Sequence, residues 1–211
     1  MNQLIGSRVR ASRLAAGAIA ALAVATAACG TGEGTGPTPA PPPPSSTTFA
    51  KPVPPGPSQT GLKNPVTFDP CVRIGDDLVT ETGFSPATRA RSAGESATDT
   101  LVVIGCSFYR VATVDREEAI LAGLTVQATN SKFAEVETSS EFQDVVDKYE
   151  INGRSAVLYM LKALPGTCTA AVATDEGMLR MTYMPVAADS VGPCDHVRKI
   201  APALATSLDS K

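Results

Sequence analysis

Apolar and polar positions divide the 211-residue chain into three stretches. Leu14 to Ala28 is uncharged and Ala-rich, with Arg8, Arg10 and Arg13 just before it. Such a run is too short to cross a bilayer comfortably as a helix, and a basic segment followed by a short apolar run is the pattern of an export signal. Gly30 to Lys63 has no apolar periodicity and holds ten of the seventeen prolines, including Pro41-Pro42-Pro43-Pro44. A stretch of this kind cannot bury enough apolar surface to fold by itself. Its composition predicts a semi-rigid polyproline II tether that rises about 3.1 Å per residue and reaches on the order of 100 Å. The tether is expected to add nothing to the stability of the domain beyond it. Regular patterning begins at Asn64.

From there the periods alternate. Asp69 followed by Pro70 reads as the N-cap and first residue of a helix. Cys71, Ile74, Leu78 and Thr82 then share one face, and Gly83 stands where a helix-ending glycine belongs. Phe84 to Thr100, rich in Ser, Ala and Arg, reads as a loop. Leu101 to Ala112 predicts a buried strand, and Ala119 to Thr129 its antiparallel neighbour. Glu141 to Asp147 fits a short helix. Tyr149-Glu150-Ile151, Asn152-Gly153 and Ser155 to Leu161 form a hairpin pattern, because Asn-Gly supplies the two positive φ values of a type I′ turn. A second hairpin pairs Cys168 to Thr174 with Met178 to Met184 across Asp175-Glu176-Gly177. Pro193 opens a last helix with an apolar stripe of Val197, Ile200, Ala201, Leu204 and Leu208, and Pro202 should kink or shorten it. The expected fold is α+β: a mainly antiparallel sheet with N-terminal and C-terminal helices packed on it and two disulfides. The expected organisation is a signal segment at 1–28, an anchor and tether at 29–63 and one domain at 64–211.

Charge and cysteine usage narrow the picture. The chain carries 18 Lys and Arg against 21 Asp and Glu. The first 28 residues hold three of the basic groups and no acid, so the remainder is near −6. That balance argues against nucleic acid and against electrostatic adhesion to anionic lipid. There are five cysteines. Thr26-Ala27-Ala28-Cys29-Gly30 resembles a bacterial lipobox, with Thr26 where Leu, Val or Ile is usual. Small residues before the cysteine fit a peptidase cleft, and the Cys29 thiol would take a diacylglyceryl group as a thioether. Two acyl chains hold a protein to a bilayer stably where one does not. Cys29 is therefore the expected lipid attachment, and the bilayer the expected partner, at the outer face of the cytoplasmic membrane. Ala25-Thr26-Ala27 also fits cleavage for ordinary secretion.

Cys71, Cys106, Cys168 and Cys194 remain, an even number that in an oxidising compartment predicts two disulfides. No C-x-x-C occurs and His196 is the one histidine, so no metal site is expected. Around these four cysteines, Phe68-Asp69-Pro70-Cys71, Gly105-Cys106-Ser107-Phe108, Gly166-Thr167-Cys168-Thr169 and Gly192-Pro193-Cys194 resemble the four-cysteine frame of an actinobacterial lipoprotein family, the domain of unknown function 3558. The resemblance spans roughly Asn64 to Leu208. Members often carry Trp two residues after the second cysteine, where this chain has Phe108. The resemblance implies an envelope lipoprotein and carries no catalytic residues. Sequence-local pairing favours Cys71–Cys106 and Cys168–Cys194, because each joins the start of a helix to a nearby strand and avoids a long loop closure. The rival set is Cys71–Cys194 with Cys106–Cys168.

No nucleophile elbow, zinc motif, phosphate loop or calcium loop is present, and no cofactor or catalytic residue is expected. His196, beside Asp195 in the first turn of the last helix, reads as a solvated residue. Asp76-Asp77 with Glu81 reads as the charged outer face of the first helix, Glu117-Glu118 as a strand-edge pair and Asp175-Glu176 as a solvated turn. Met178, Met181, Met184, Tyr159 and Tyr183 read as core or groove lining, since Met-rich surfaces also take soft apolar ligands. Two function classes are left: a non-catalytic module that binds an apolar ligand or an envelope protein, and a hydrolase or transferase acting on envelope material.

Overall fold

Period-two alternation across long strands organises the molecule. The computed structural model describes residues 49–138, 143–187 and 191–209. Cys29 and the signal segment lie outside the described residues, as do 141 and 142 of the expected short helix. The described elements run α1 (Pro70–Arg73), α2 (Asp76–Glu81), β1 (Ser85–Arg91), β2 (Ser96–Ala97), β3 (Val102–Val114), β4 (Glu117–Thr129), α3 (Phe133–Thr138), β5 (Gln143–Ile151), β6 (Arg154–Leu161), β7 (Cys168–Thr174), β8 (Gly177–Pro185) and α4 (Pro193–Ala205), closed by a 3-10 turn at Thr206–Leu208. Among the described residues the eight strands form one antiparallel sheet in the order β1-β3-β4-β8-β7-β6-β5, with β2 also on β3.

Three of the hairpins are set by two-residue turns. Asn152 and Gly153 have φ of 50° and 75°, so Ile151 pairs with Arg154 across a type I′ geometry. Asp115 and Arg116, at 51° and 71°, make the same turn between β3 and β4. Thr174 pairs with Gly177 across Asp175-Glu176. One sheet face carries Ile104, Cys106 and Phe108 of β3, Leu124 and Val126 of β4, and Leu179, Met181 and Tyr183 of β8, all buried. Helices α1, α2 and α4 cover this face, with Val197, Ile200, Ala201 and Leu204 of α4 turned into the core. Pro202 lies inside α4, which ends three residues later.

The expected N-terminal helix does not form as one element. Ile74 (φ −86°, ψ 110°) and Gly75 (φ −67°, ψ 158°) are extended, and they separate α1 from α2. The cause is Arg89. Its Nη1 donates to the Cys71 carbonyl and its Nη2 to the Ile74 carbonyl, each at 2.9 Å. A continuous helix would use those carbonyls for the amides of Gly75 and Leu78. The break also shifts the buried phase from Leu78 to Val79.

Two further expectations change. Phe84 to Thr100 is not a loop: it contains β1 and β2, and hydropathy hides β1 because its fully buried position is Arg89. Residues 143–147 belong to strand β5, held in register by the Asn-Gly hairpin, and the short helix stands earlier, at α3. Residues 49–63 lack regular structure but are bound to the domain. Val53 and Leu62 pack on the core, and the Gln59 amide bonds both the N–H (2.7 Å) and the carbonyl (2.9 Å) of Val66. Arg91 Nε donates to the Pro54 carbonyl at 2.9 Å, and the Arg89 guanidinium lies 4.3 Å from the Phe49 ring centroid. The stable body therefore begins before Asn64. A chain starting at Asn64 should melt on the order of 5–10 °C below one starting at Phe49, because two apolar side chains and several hydrogen bonds are lost. Equal melting temperatures in scanning calorimetry would show that this strap contributes nothing.

Candidate functional site

The second sheet face is only partly covered. Short α3 lays Phe133 and Val136 over Val157, Tyr159, Ala171 and Met178. Beside that patch the face opens into a groove of about 280 Å³. A row of hydroxyl residues is set by register, and of these Thr125, Thr182 and Tyr159 line the groove. Ser107 pairs with Thr125, Thr125 with Thr182, Thr182 with Thr169, and Thr169 with Tyr159. Directly opposed residues on neighbouring strands project to the same face, so five hydroxyl side chains line up across β3, β4, β8, β7 and β6. Oγ1 of Thr169 and Oγ1 of Thr182 are 2.9 Å apart, and Ser107 Oγ and Thr125 Oγ1 are 3.3 Å apart. Burial pushes the Tyr159 phenol above its ordinary value, while Arg180 and Thr169 pull the other way. The phenol therefore stays protonated at neutral pH, able to donate as well as accept.

The neighbouring row supplies the charge. Gln127 pairs with Arg180 in the β4–β8 register, and Arg180 Nη2 donates to Gln127 Oε1 at 2.9 Å. Gly105 makes room for this arrangement, because a Cβ there would sit 2.6 Å from Gln127 Cγ and 2.5 Å from Ser92 Oγ. Arg180 is half-buried, forms no ion pair among the described residues, and its Nε is buried without a hydrogen-bond partner. Leu161, Leu164 and Met184 form an apolar rim, with Leu164 and Met184 exposed. Among the described residues that line the groove there is no carboxylate, and there the lining is cationic and hydroxylated in an acidic chain.

A second concavity of about 170 Å³ lies at the β7–β8 turn, where Arg73, Arg154, Asp175 and Glu176 meet. Its charges are largely used internally. Glu176 accepts from the Thr67 amide at 2.8 Å and from the Thr67 hydroxyl, and Arg154 pairs with Asp209 at 3.1 Å. The groove around Arg180 is thus the better candidate: its cation has capacity left for a ligand.

The residues singled out from the sequence are scattered. Tyr159 and Met184 line the groove, Met178 sits under α3, and Met181 and Tyr183 belong to the main core. His196 is not a solvated helix residue; its ring stacks on Tyr183 with centroids 4.6 Å apart and planes at 23°. Asp76 leaves the expected charged face to pair with Arg89 at 2.6 Å, apart from Asp77 and Glu81. Glu176 is tied to Thr67 rather than free in a turn. Glu117 and Glu118 are exposed at the β3–β4 turn. The cysteines lie as Cys71–Cys106 and Cys168–Cys194, with Cα separations of 4.9 and 5.0 Å. Sequence reasoning passed over Arg180, Gln127, Thr125 and Thr182; outward polar residues on a strand carry no local mark of a site.

Among the described residues no three His, Cys, Asp or Glu side chains gather as a metal site, and no helix is long and apolar enough to cross a membrane. A family described as "Protein of unknown function (DUF3558)" matches residues 24–207. No curated protein and no solved structure matches the chain.

Proposed function

The chain belongs to the DUF3558 family of proteins of unknown function, and on that premise we propose that it is a lipid-anchored envelope protein of actinobacterial type whose domain is a non-catalytic ligand-binding module. Cys29 carries the diacylglyceryl group, and the proline-rich chain after it holds the domain away from the outer face of the cytoplasmic membrane. The observation that supports binding is the groove: an Arg180 guanidinium without a carboxylate partner among the described residues, beside a row of hydroxyls and under an apolar rim. Polar groups that converge in a concavity beside apolar side chains can orient a small molecule. Among the described residues lining the groove there is no histidine or carboxylate, the commonest general acids and bases.

Native mass spectrometry of the protein purified from its own envelope tests this reading. A retained low-mass species, lost on Arg180→Gln, is expected. A stoichiometric protein subunit that survives Arg180→Gln would replace the small ligand with a protein partner. The anchor has its own test. Cys29→Ser should move the protein from the detergent phase to the aqueous phase on detergent partitioning, because the two acyl chains are lost. Unchanged partitioning would sink the lipoprotein reading.

A further inference from the structure

Resting on the binding reading, we infer that the groove takes a sugar acid of one or two rings, its carboxylate on Arg180 and its hydroxyls on the Thr125–Thr182–Tyr159 row. Three observations converge on this class. First, the one charged side chain among the described residues lining the groove is a half-buried guanidinium that gives Nη2 to a neutral amide, Gln127, also hydrogen-bonds the neutral Tyr159 phenol, and meets no acid among the described residues. A planar fork of five donors is matched by a carboxylate. Second, the floor is hydroxylated rather than greasy. Each hydroxyl offers one donor and two acceptor positions, and the pairs Ser107–Thr125 and Thr169–Thr182 use only part of that capacity. A fatty acid would leave that remaining capacity unmet beneath its chain. A polyhydroxylated ligand would engage them. Third, the size agrees. A groove of about 280 Å³ lies at the small end of ligand sites. Its span from β4 to β6 crosses three strand spacings, on the order of 14 Å, which accommodates one or two rings and not a long polymer segment. Leu161, Leu164 and Met184 then cover the C–H faces of the rings from the rim.

Gln127 acts as a positioning residue in this arrangement. It holds Arg180 Nη2 at 2.9 Å, and its side-chain nitrogen lies 3.3 Å from Ser92 Oγ on the far side. The guanidinium is thereby tethered from β4 while it remains open to the groove.

The test is titration of the whole chain, carrying Cys29→Ser to avoid detergent, with glucuronate, glucose and hexanoate as probes, followed by NMR shift changes and calorimetry. Glucuronate should bind at least tenfold more tightly than either comparator, and the largest shift changes should fall on Thr125, Tyr159, Arg180 and Thr182. Arg180→Gln should abolish the preference over glucose. Thr182→Val, which keeps the shape and removes a hydroxyl, should weaken glucuronate severalfold while hexanoate is unaffected. Equal affinity for glucose, tighter binding of hexanoate, or no binding by an intact fold would each overturn the sugar-acid assignment. If a low-mass ligand is still retained by native mass spectrometry in those cases, the binding reading stands and only the ligand class falls.

Discussion

Arg89→Met should destabilise the domain by about 3–5 kcal/mol, the loss expected when one partner of a buried ion pair is removed. Arg89 is fully buried, and its guanidinium serves three acceptors at once: the carbonyls of Cys71 and Ile74 and the carboxylate of Asp76. Its flat face also lies 5.0 Å from the Phe108 ring centroid and 4.3 Å from that of Phe49. Methionine fills much of the volume but leaves two helix-breaking carbonyls without that donor and a mostly buried carboxylate without its cation, with only the Ala50 amide still donating to it. Lysine should recover only part of the loss, because a point charge on a shorter stem cannot reproduce the fork. Arg89→Met combined with Asp76→Leu should cost less than Arg89→Met alone, since no stranded charge remains. Urea unfolding reads all three. The deficit of the single variant should persist in high salt, because the pair is shielded from counterions. A loss below about 1 kcal/mol would show that the break between α1 and α2 is set by Gly75 alone.

Removing the Cys168–Cys194 bridge as Cys168→Ala with Cys194→Ala should cost about 3–4 kcal/mol and lower the melting temperature by roughly 10 °C. The bridge spans a sequence separation of 26, and the Cys71–Cys106 bridge one of 35, so chain entropy assigns the two comparable weights. Cys168–Cys194 has a second duty. It pins the first turn of α4, whose N-cap Gly192 supplies no side-chain hydrogen bond, to the edge of β7. Loss of α4 would uncover the core face over β7 and β8 that Val197, Ala201 and Leu204 protect. Against a folded stability of about 5–15 kcal/mol, either loss is a large fraction. Non-reducing peptide mapping gives the independent check: a peptide joining Cys71 to Cys194, or unchanged melting after full reduction, would refute this account.

Short-range chemistry is legible in the order of the amino acids alone. Asn152-Gly153 announces its turn because both residues tolerate positive φ, and the strands on either side are registered by that turn. Val197, Ile200, Ala201 and Leu204 announce α4 because their spacing makes one apolar face. The strands β3, β4, β7 and β8 were likewise legible as apolar or hairpin-flanked runs. What the sequence reading missed was settled by folding, and the reason in each case is a partner distant in sequence. The helix expected after Asp69 breaks because Arg89, eighteen residues beyond Cys71, takes its carbonyls. β1 is invisible to hydropathy for the same reason, its inward residue being an arginine. The strap at 49–63 reads as tether in composition, yet Gln59 and Pro54 find Val66 and Arg91 once the domain has folded. The groove is the clearest instance. Ser107, Thr125, Tyr159, Thr169 and Thr182 lie on five strands; Tyr159 reads as core or groove lining from the sequence, and the other four look like ordinary polar residues in their own strands. Only the register of β3, β4, β8, β7 and β6 sets their hydroxyls side by side, because strand pairing converts positions remote in sequence into neighbours about 5 Å apart.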